Sequence, residues 1–375
     1  MAKKKVLIVG PAWPLRGGLA TYDERLCREF IQMGYDCEIL SFSLQYPSIL
    51  FPGKTQYSDD PEPKDIKILS RINSINPFNW IWNGFQLSKT DYDLVVFRYW
   101  MSFMGPAFGT LARLLKRNPK TRVLAITDNI VPHEKKFFDK PFTNYFLNGI
   151  DGFLSMSKEV YQQVEELQPN KPRTYVPHPM YDMFGEAVAK EIAILKLGLD
   201  PRYNYCLFFG FIRKYKGLHL LLESFAKVDR QKHKLKLIIA GEFYEDSTPY
   251  LQQMKELGLE SDIVLRTDFI PNEEVGTYFC AASLVAQTYI SATQSGVTQI
   301  AYYYNKPMLV TNVGGLAELV PDGKAGMVCE PESDEIAYRW NQYFEKQLEA
   351  YMSNEILEEK KRFTWSYLAN QLLSL

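Results

Sequence analysis

A chain of 375 residues is long enough for two α/β domains. Hydrophobic residues make up 46% and charged residues 23%, the range of an ordinary soluble globular protein. Lys plus Arg is 43 against 44 for Asp plus Glu, so the net charge is −1, which excludes a global attraction to nucleic acid or to an anionic membrane but not a local basic cleft.

The basic start, Lys3 to Lys5, runs directly into the apolar residues 6–9, too short for a secretory core and better read as a first strand. Further buried-strand candidates are 38–42, 94–99, 123–127 and 152–156, with helices expected over 20–33 and 108–116. Gly34 stands where a helix C-terminus favours glycine. A Pro-rich bridge over 174–181 follows a strand-like piece, and a helix is expected over 186–196, ending at Gly198. The βα rhythm then restarts. Strands are expected at 205–212, 236–240, 263–266, 284–288 and 308–311, and helices at 218–228, 249–257, 273–281 and 296–304, with a helical tail over 354–375. No apolar run approaches the ~20 residues of a membrane-spanning helix. The expectation is therefore a cytoplasmic protein, peripheral contact with the inner face of the membrane staying open.

Five cysteines are scattered singly, Cys27, Cys37, Cys206, Cys280 and Cys329, with no zinc spacing. That pattern suggests buried thiols in a reducing compartment. No Asp-x-Asp pair follows a strand near the glycine loops, so no metal site is expected.

Four glycine-containing turns follow expected strands. Gly17 and Gly18 let backbone approach a ligand before a helix N-terminus, although the dinucleotide pattern G-x-G-x-x-G is absent. The turn from Gly210 to Gly217 carries Arg213, Lys214 and Lys216 ahead of a helix, which suits a diphosphate. The segment from Ser291 to Ile300 is rich in hydroxyls and amides, so Ser295, Gly296 and Val297 can offer N–H groups to phosphate. The fourth turn contains Gly314 and Gly315, with Glu318 beyond.

Taken in order, these turns resemble the family-4 glycosyltransferases, retaining enzymes of the GT-B fold. The matching residues are Gly17 and Gly18; Gly210 with Lys216 and Gly217; Lys306 and Pro307 through Val310; Gly314, Gly315 and Glu318; and Asp322, Gly323 and Gly326. Phe363 to Trp365 resembles the family's closing helix, and Asn129, Pro132, His133 and Glu134 resemble a loop of its first domain, with Asp128 where a histidine is usual. The resemblance implies an α/β architecture of two Rossmann-like doubly wound domains facing a central cleft. The expected boundaries are an N-terminal acceptor domain over 1–185, a nucleotide-sugar donor domain over 186–353, and a terminal helix over 354–375 crossing back to the first domain.

It further implies a metal-independent hexosyltransferase-like enzyme of polysaccharide biosynthesis, without a cofactor, taking a nucleotide diphosphate sugar to a glycan or lipid-linked acceptor. His133, Arg213 and Lys216 are the catalytic candidates. Gly17, Gly18, Gly210, Gln294, Ser295, Gly296, Val297 and Gln299 are the donor-binding candidates, and Asp128, Asn129 and Glu134 line the acceptor side. The chain departs from the family at Phe211, where an arginine is usual, and at Ala292 and Ile300, where two glutamates are usual. Gln294 and Gln299 are the nearby groups able to hydrogen-bond sugar or ribose hydroxyls. A non-catalytic GT-B protein, binding nucleotide sugar or a partner in a glycan assembly complex, is the rival reading; a nicotinamide oxidoreductase lacks its glycine pattern. His178 in the Pro-rich bridge reads as structural. The aromatic stretches at 43–53, 77–82 and 99–104 read as core of the first domain, with an acceptor groove or a membrane-interface lip as the alternative.

Overall fold

A computed structural model describes residues 3–47, 56–58, 61–131, 136–268, 270–292 and 295–375. The chain divides into two compact units, Met1–His178 together with Trp365–Leu375, and Pro179–Thr364. Residues 179–185 and 354–364 thus count with the second unit.

The first unit runs β1 (Lys5–Val9), α1 (Gly18–Gln32), β2 (Asp36–Leu44), β3 (Lys67–Asn73), α2 (Pro77–Leu87), β4 (Leu94–Tyr99), α3 (Gly105–Leu115), β5 (Arg122–Thr127), α4 (Asp139–Asn148), β6 (Gly152–Ser155), α5 (Lys158–Leu167) and β7 (Arg173–Tyr175). Its strands form one parallel sheet in the order β3-β2-β1-β4-β5-β6-β7. Covered on both faces, the central strands are continuous apolar runs. Leu7, Val9, Val95 and Phe97 face one way, with Leu87 of α2, Phe108 of α3 and Phe146 of α4. Val6, Ile8, Val96 and Leu124 face the other, with Leu26 and Phe30 of α1.

The second unit repeats the plan with α6 (Lys190–Lys196), β8 (Asn204–Phe209), α7 (Leu218–Lys227), β9 (Leu235–Ala240), α8 (Thr248–Glu256), β10 (Ile263–Arg266), α9 (Asn272–Ala281), β11 (Leu284–Gln287), α10 (Gly296–Tyr303), β12 (Met308–Thr311), α11 (Leu316–Leu319), β13 (Gly326–Cys329), α12 (Ser333–Glu345) and α13 (Glu349–Glu359). Its parallel sheet has the order β10-β9-β8-β11-β12-β13. In both sheets the strand order reverses beside the first strand of the unit, between β1 and β4 and between β8 and β11, where open α/β sheets leave a crevice at the strand C-terminal ends.

The expected tail helix is two helices, α13 and α14 (Trp365–Ser374), separated by a 3-10 turn at Lys360–Phe363. The strand expected over 205–212 stops at Phe209, because Gly210 turns the backbone to φ +94. All five cysteines are buried free thiols.

In α14, Trp365, Leu368, Ala369 and Leu372 cover the α1 face of the first sheet. Leu368 is fully buried there. Leu368→Ala should cost about 2–5 kcal/mol through lost burial and the cavity left behind. The expected outcome is a lower urea midpoint with native circular dichroism in buffer.

Candidate functional site

In the second unit, the turn after β8 and the N-terminus of α10 meet at a cavity of about 320 Å³. Gly210, Phe211, Lys216, Ser295, Gly296 and Val297 all line it. The turn is fixed by close backbone packing. Gly217 has φ +66, and a Cβ there would lie 1.9 Å from the Thr288 carbonyl oxygen just beyond β11. Thr288 Oγ1 donates to the Gly217 carbonyl at 3.0 Å, and Ile290 N–H donates to the Tyr215 carbonyl at 2.7 Å. No side chain fits at Gly217, so the turn sits flush against the end of β11.

That packing buries Lys216, which is only 9% exposed. Its Nζ lies 2.9 Å from where a Cβ of Gly210 would be and 5.7 Å from the Tyr289 ring centroid. Burial lowers the ammonium pKa to about 8, and Arg213 adds a smaller push in the same direction. No described carboxylate pairs with Lys216.

Across the cavity, α10 starts at Gly296 without a side-chain cap on its first N–H groups. Ser295 stands at the cap position, but its hydroxyl donates instead to Gln287 Oε1 at 2.7 Å. Thr298 donates to the same oxygen at 3.0 Å, and Tyr289 OH meets Ser295 Oγ at 3.2 Å. Gln287, buried at the end of β11, therefore holds the first turn of α10 in place, and among the described residues no side chain caps its N–H groups. A buried cation and a helix N-terminus without a side-chain cap, lining one cavity, form a receptor for an anion.

The sequence candidates are distributed unevenly. Lys216, Gly210, Ser295, Gly296 and Val297 come together around the cavity. Arg213 is exposed, its guanidinium 5.2 Å from the Tyr244 ring centroid, outside the cavity lining. Gln299 is 2% exposed, its Oε1 is buried without a partner, and it does not line the cavity. At about 100° per residue, 296, 297 and 300 share one helix face and 299 turns away from it. Ile300, where the family's second glutamate is usual, does line the cavity. Pro132, His133 and Glu134, and Gln294, lie outside the described residues. Gln287 was not singled out from the sequence; its signal was a polar residue closing the apolar run 284–286.

In the first unit, Gly17 and Gly18 are exposed at the start of α1, and Asn129 is half-buried after β5. Asp128 is held by Arg98 of β4, whose Nη2 donates at 2.8 Å while its Nε bonds the other carboxylate oxygen. The Arg98 guanidinium also lies 3.7 Å over the Tyr22 ring. Beneath Gly10, Asp23 is fully buried and neither carboxyl oxygen has a hydrogen-bond partner. A Cβ at Gly10 would lie 2.2 Å from Asp23 Oδ2, so this group is packed against the β1 turn. Burial pushes the Asp23 carboxyl well above the ordinary carboxylate range, against the opposing pull of Arg98.

Asp23 thus keeps its proton in the folded state at pH values where the unfolded chain has lost it, so stability is full below the unfolded pKa of about 3.9 and falls as pH rises through the folded pKa. Asp23→Asn removes that loss. The variant should melt at or above the wild-type temperature at neutral pH, and the difference should shrink on acidification. Thermal scans across the pH range check it; a variant whose deficit grows as pH rises would show that the carboxyl is ionised in place.

Residues 189–362 match the family model described as glycosyl transferases group 1. YtcC of Bacillus subtilis is 30% identical over 161 residues, which span 40% of this chain and 38% of that protein. The D-inositol 3-phosphate glycosyltransferase of Corynebacterium glutamicum is 23% identical over 309 residues, 76% of this chain and 72% of that one. Among solved structures, HepE of Anabaena in complex with UDP superposes with a TM-score of 0.67 at 17% identity, covering 99% of this chain and 98% of that chain. HepE has also been solved with UDP-glucose. Two parallel-sheet α/β units with such neighbours make the GT-B fold. The group 1 pattern falls within the second of these units, over residues 189–362.

Proposed function

We propose that the chain is a retaining, metal-independent glycosyltransferase that transfers a sugar from a nucleotide diphosphate sugar to a glycan or lipid-linked acceptor. The observation that carries this reading is Lys216, a buried ammonium with no described carboxylate partner, lining the same cavity as the uncapped end of α10. In this reading the diphosphate lies between the two. As the glycosidic bond to the leaving group breaks, negative charge grows on the diphosphate, and both features meet it without rearranging. Gly210 leaves room for Lys216 Nζ, and Gln287 holds the first turn of α10 at the cavity through Ser295 and Thr298. Lys216 takes over the charge that was also assigned to Arg213, since Arg213 stands outside the lining. The UDP complexes of HepE, a protein of the same fold, support a nucleotide as the ligand class. Gly17 and Gly18 remain candidates for donor binding, and Asp128 and Asn129 for the acceptor side.

A second reading has one specific observation behind it. Ile300 presents an apolar side chain to the cavity where the family pattern has a carboxylate, and Ala292 is equally apolar. A chain lacking both carboxylates can bind a nucleotide sugar without turning it over. Released nucleoside diphosphate, measured with a panel of donors and acceptors in the presence of EDTA, separates the two. Release supports transfer without a metal; calorimetric binding with no release under any condition supports the binding protein.

Removing the cation tests the site itself. Lys216→Met should lower turnover by on the order of 2–4 kcal/mol of transition-state stabilisation, while leaving the fold at least as stable, because a desolvated charge is replaced by a thioether of similar length. Undiminished donor binding and turnover in a folded K216M protein would place the diphosphate elsewhere.

The pH dependence has a definite sign. Below about pH 8 the Lys216 ammonium is charged and ready for the ligand; above it the free protein has lost that proton. Nucleoside diphosphate binding should therefore take up a proton above about pH 8 and weaken as pH rises further. Calorimetry in two buffers of different ionisation enthalpy reads this uptake, which should vanish in K216M.

A further inference from the structure

The outer face of α2 inverts the usual pattern of a surface helix. Its polar residues point into the protein. Asn79 Nδ2 donates to the Arg71 carbonyl at 3.0 Å, and Asn79 Oδ1 accepts from Asn73 N–H at 2.9 Å. Asn83 Nδ2 donates to the Asn79 carbonyl at 2.9 Å, and Trp80 Nε1 donates to the Asn73 carbonyl at 2.6 Å. Gly84 seats the helix against α3, since a Cβ there would lie 2.5 Å from Leu114 Cδ1. The opposite face is left to solvent, and it is apolar: Phe78 is 84% exposed, Trp82 66%, Ile81 42% and Phe85 41%. The helix contains no charged residue. A globular monomer rarely leaves four large apolar side chains together on one exposed helix face.

The charge around this face is segregated. From residue 66 to residue 127 the chain carries nine Lys or Arg and two acidic residues; Lys67, Arg98 and Lys116 pair with Glu38, Asp128 and Asp151, which leaves Arg71, Lys89, Arg113, Arg117, Lys120 and Arg122. The two acids, Asp91 and Asp93, accept hydrogen bonds from Asn118 and from the Lys5 backbone. The Arg117 guanidinium sits 5.0 Å from the centroid of the Phe85 ring, at the margin of the apolar face. Arg71, Lys89, Arg113 and Arg117 are all exposed.

We propose that α2 is a membrane-docking surface, which inserts Phe78, Ile81, Trp82 and Phe85 into the interface of an anionic lipid leaflet while Arg71, Lys89 and Arg117 meet its phosphates. Aromatic and aliphatic side chains flanked by cations on a neutral helix suit the headgroup boundary. One-signed charge around an apolar strip matches an anionic surface. A second copy of the chain fits worse, because a twofold contact through α2 would bring the cationic margin of one copy onto the cationic margin of the other.

The test is co-sedimentation of the full chain with phosphatidylcholine vesicles, with and without phosphatidylglycerol. The wild type should bind the anionic vesicles, weaken with added salt, and bind the neutral vesicles poorly. Phe78→Ser with Trp82→Ser should reduce partitioning by roughly tenfold or more, and Arg71→Glu with Arg117→Glu should do the same while keeping the apolar face intact. Circular dichroism identical to wild type shows that each variant is folded, as expected for exposed positions. Failure to bind anionic vesicles, equal binding to both vesicle types, or variants that bind as well as wild type overturns the proposal. So does a wild-type dimer in sedimentation that F78S/W82S dissolves, which would assign the face to a second copy.

Discussion

Gly217 and the Thr288 carbonyl occupy the space of one side chain, and the geometry of the second unit's cavity depends on that contact. The 3-10 turn at Lys214–Lys216 is pressed onto the end of β11, so the Lys216 side chain passes over Gly210 and not outward. The same strand end carries Gln287, which restrains the first turn of α10 through Ser295 and Thr298. Two backbones meeting at the reversal of strand order thus set both positive elements of the cavity. The cation and the helix end are aimed before any ligand arrives, and this is the condition under which fixed dipoles and charges act strongly on an anion.

The first unit handles charge in the opposite way. Where the second unit leaves a cation without a carboxylate, the first encloses Arg98 with Asp128, Tyr22 and Asp23 beneath the turn after β1. A guanidinium in a sheet otherwise lined with apolar residues is retained only because its charge is met there. The exposed cations of this unit are concentrated instead over 66–127, a pattern that the balanced total of the chain conceals.

Much of the architecture was readable from residue order, because buried parallel strands are continuous apolar runs between polar turns. The runs 94–99, 263–266 and 308–311 coincide with β4, β10 and β12. The strand β3 was not legible: it is an edge strand, half-exposed, and its residues Lys67, Ser70, Arg71 and Asn73 break the apolar run. The four-residue strand β13 follows a glycine-lysine turn and offers too little pattern. Helix α2 misleads in a different manner, since its aromatic residues read as core and the structure turns Phe78 and Trp82 to solvent. The stretch 99–104 does pack inward, with Tyr99 stacked on Phe146 at 4.3 Å, while most of the stretch 43–53 lies outside the described residues. At the site, Lys216 was legible because it stands in a basic turn ahead of a helix and because that turn resembles the family's Lys-Gly turn. The partners of Arg98 were not, because Asp23 and Asp128 come from distant segments that only the sheet order brings together. Gln299 and Gln287 show the limit of spacing: one residue of helix phase removes a side chain from the cavity, and only coordinates supply that phase.

The chain leaves the first unit at His178 and returns to it at Trp365. In topological terms the second unit is an insertion, and the first is discontinuous. A ribosome making this protein releases β1 to β7 early, yet the strip of sheet that Trp365, Leu368 and Leu372 cover stays bare until those residues follow the second unit out. The second unit, contiguous from Pro179 to Thr364, has all its own strands before that moment. Assembly of the first unit therefore waits on synthesis of the whole second unit. A chain cut immediately after Thr364 keeps every residue of the second unit and leaves an uncovered apolar strip on the first, the kind of surface that chaperones and proteases recognise.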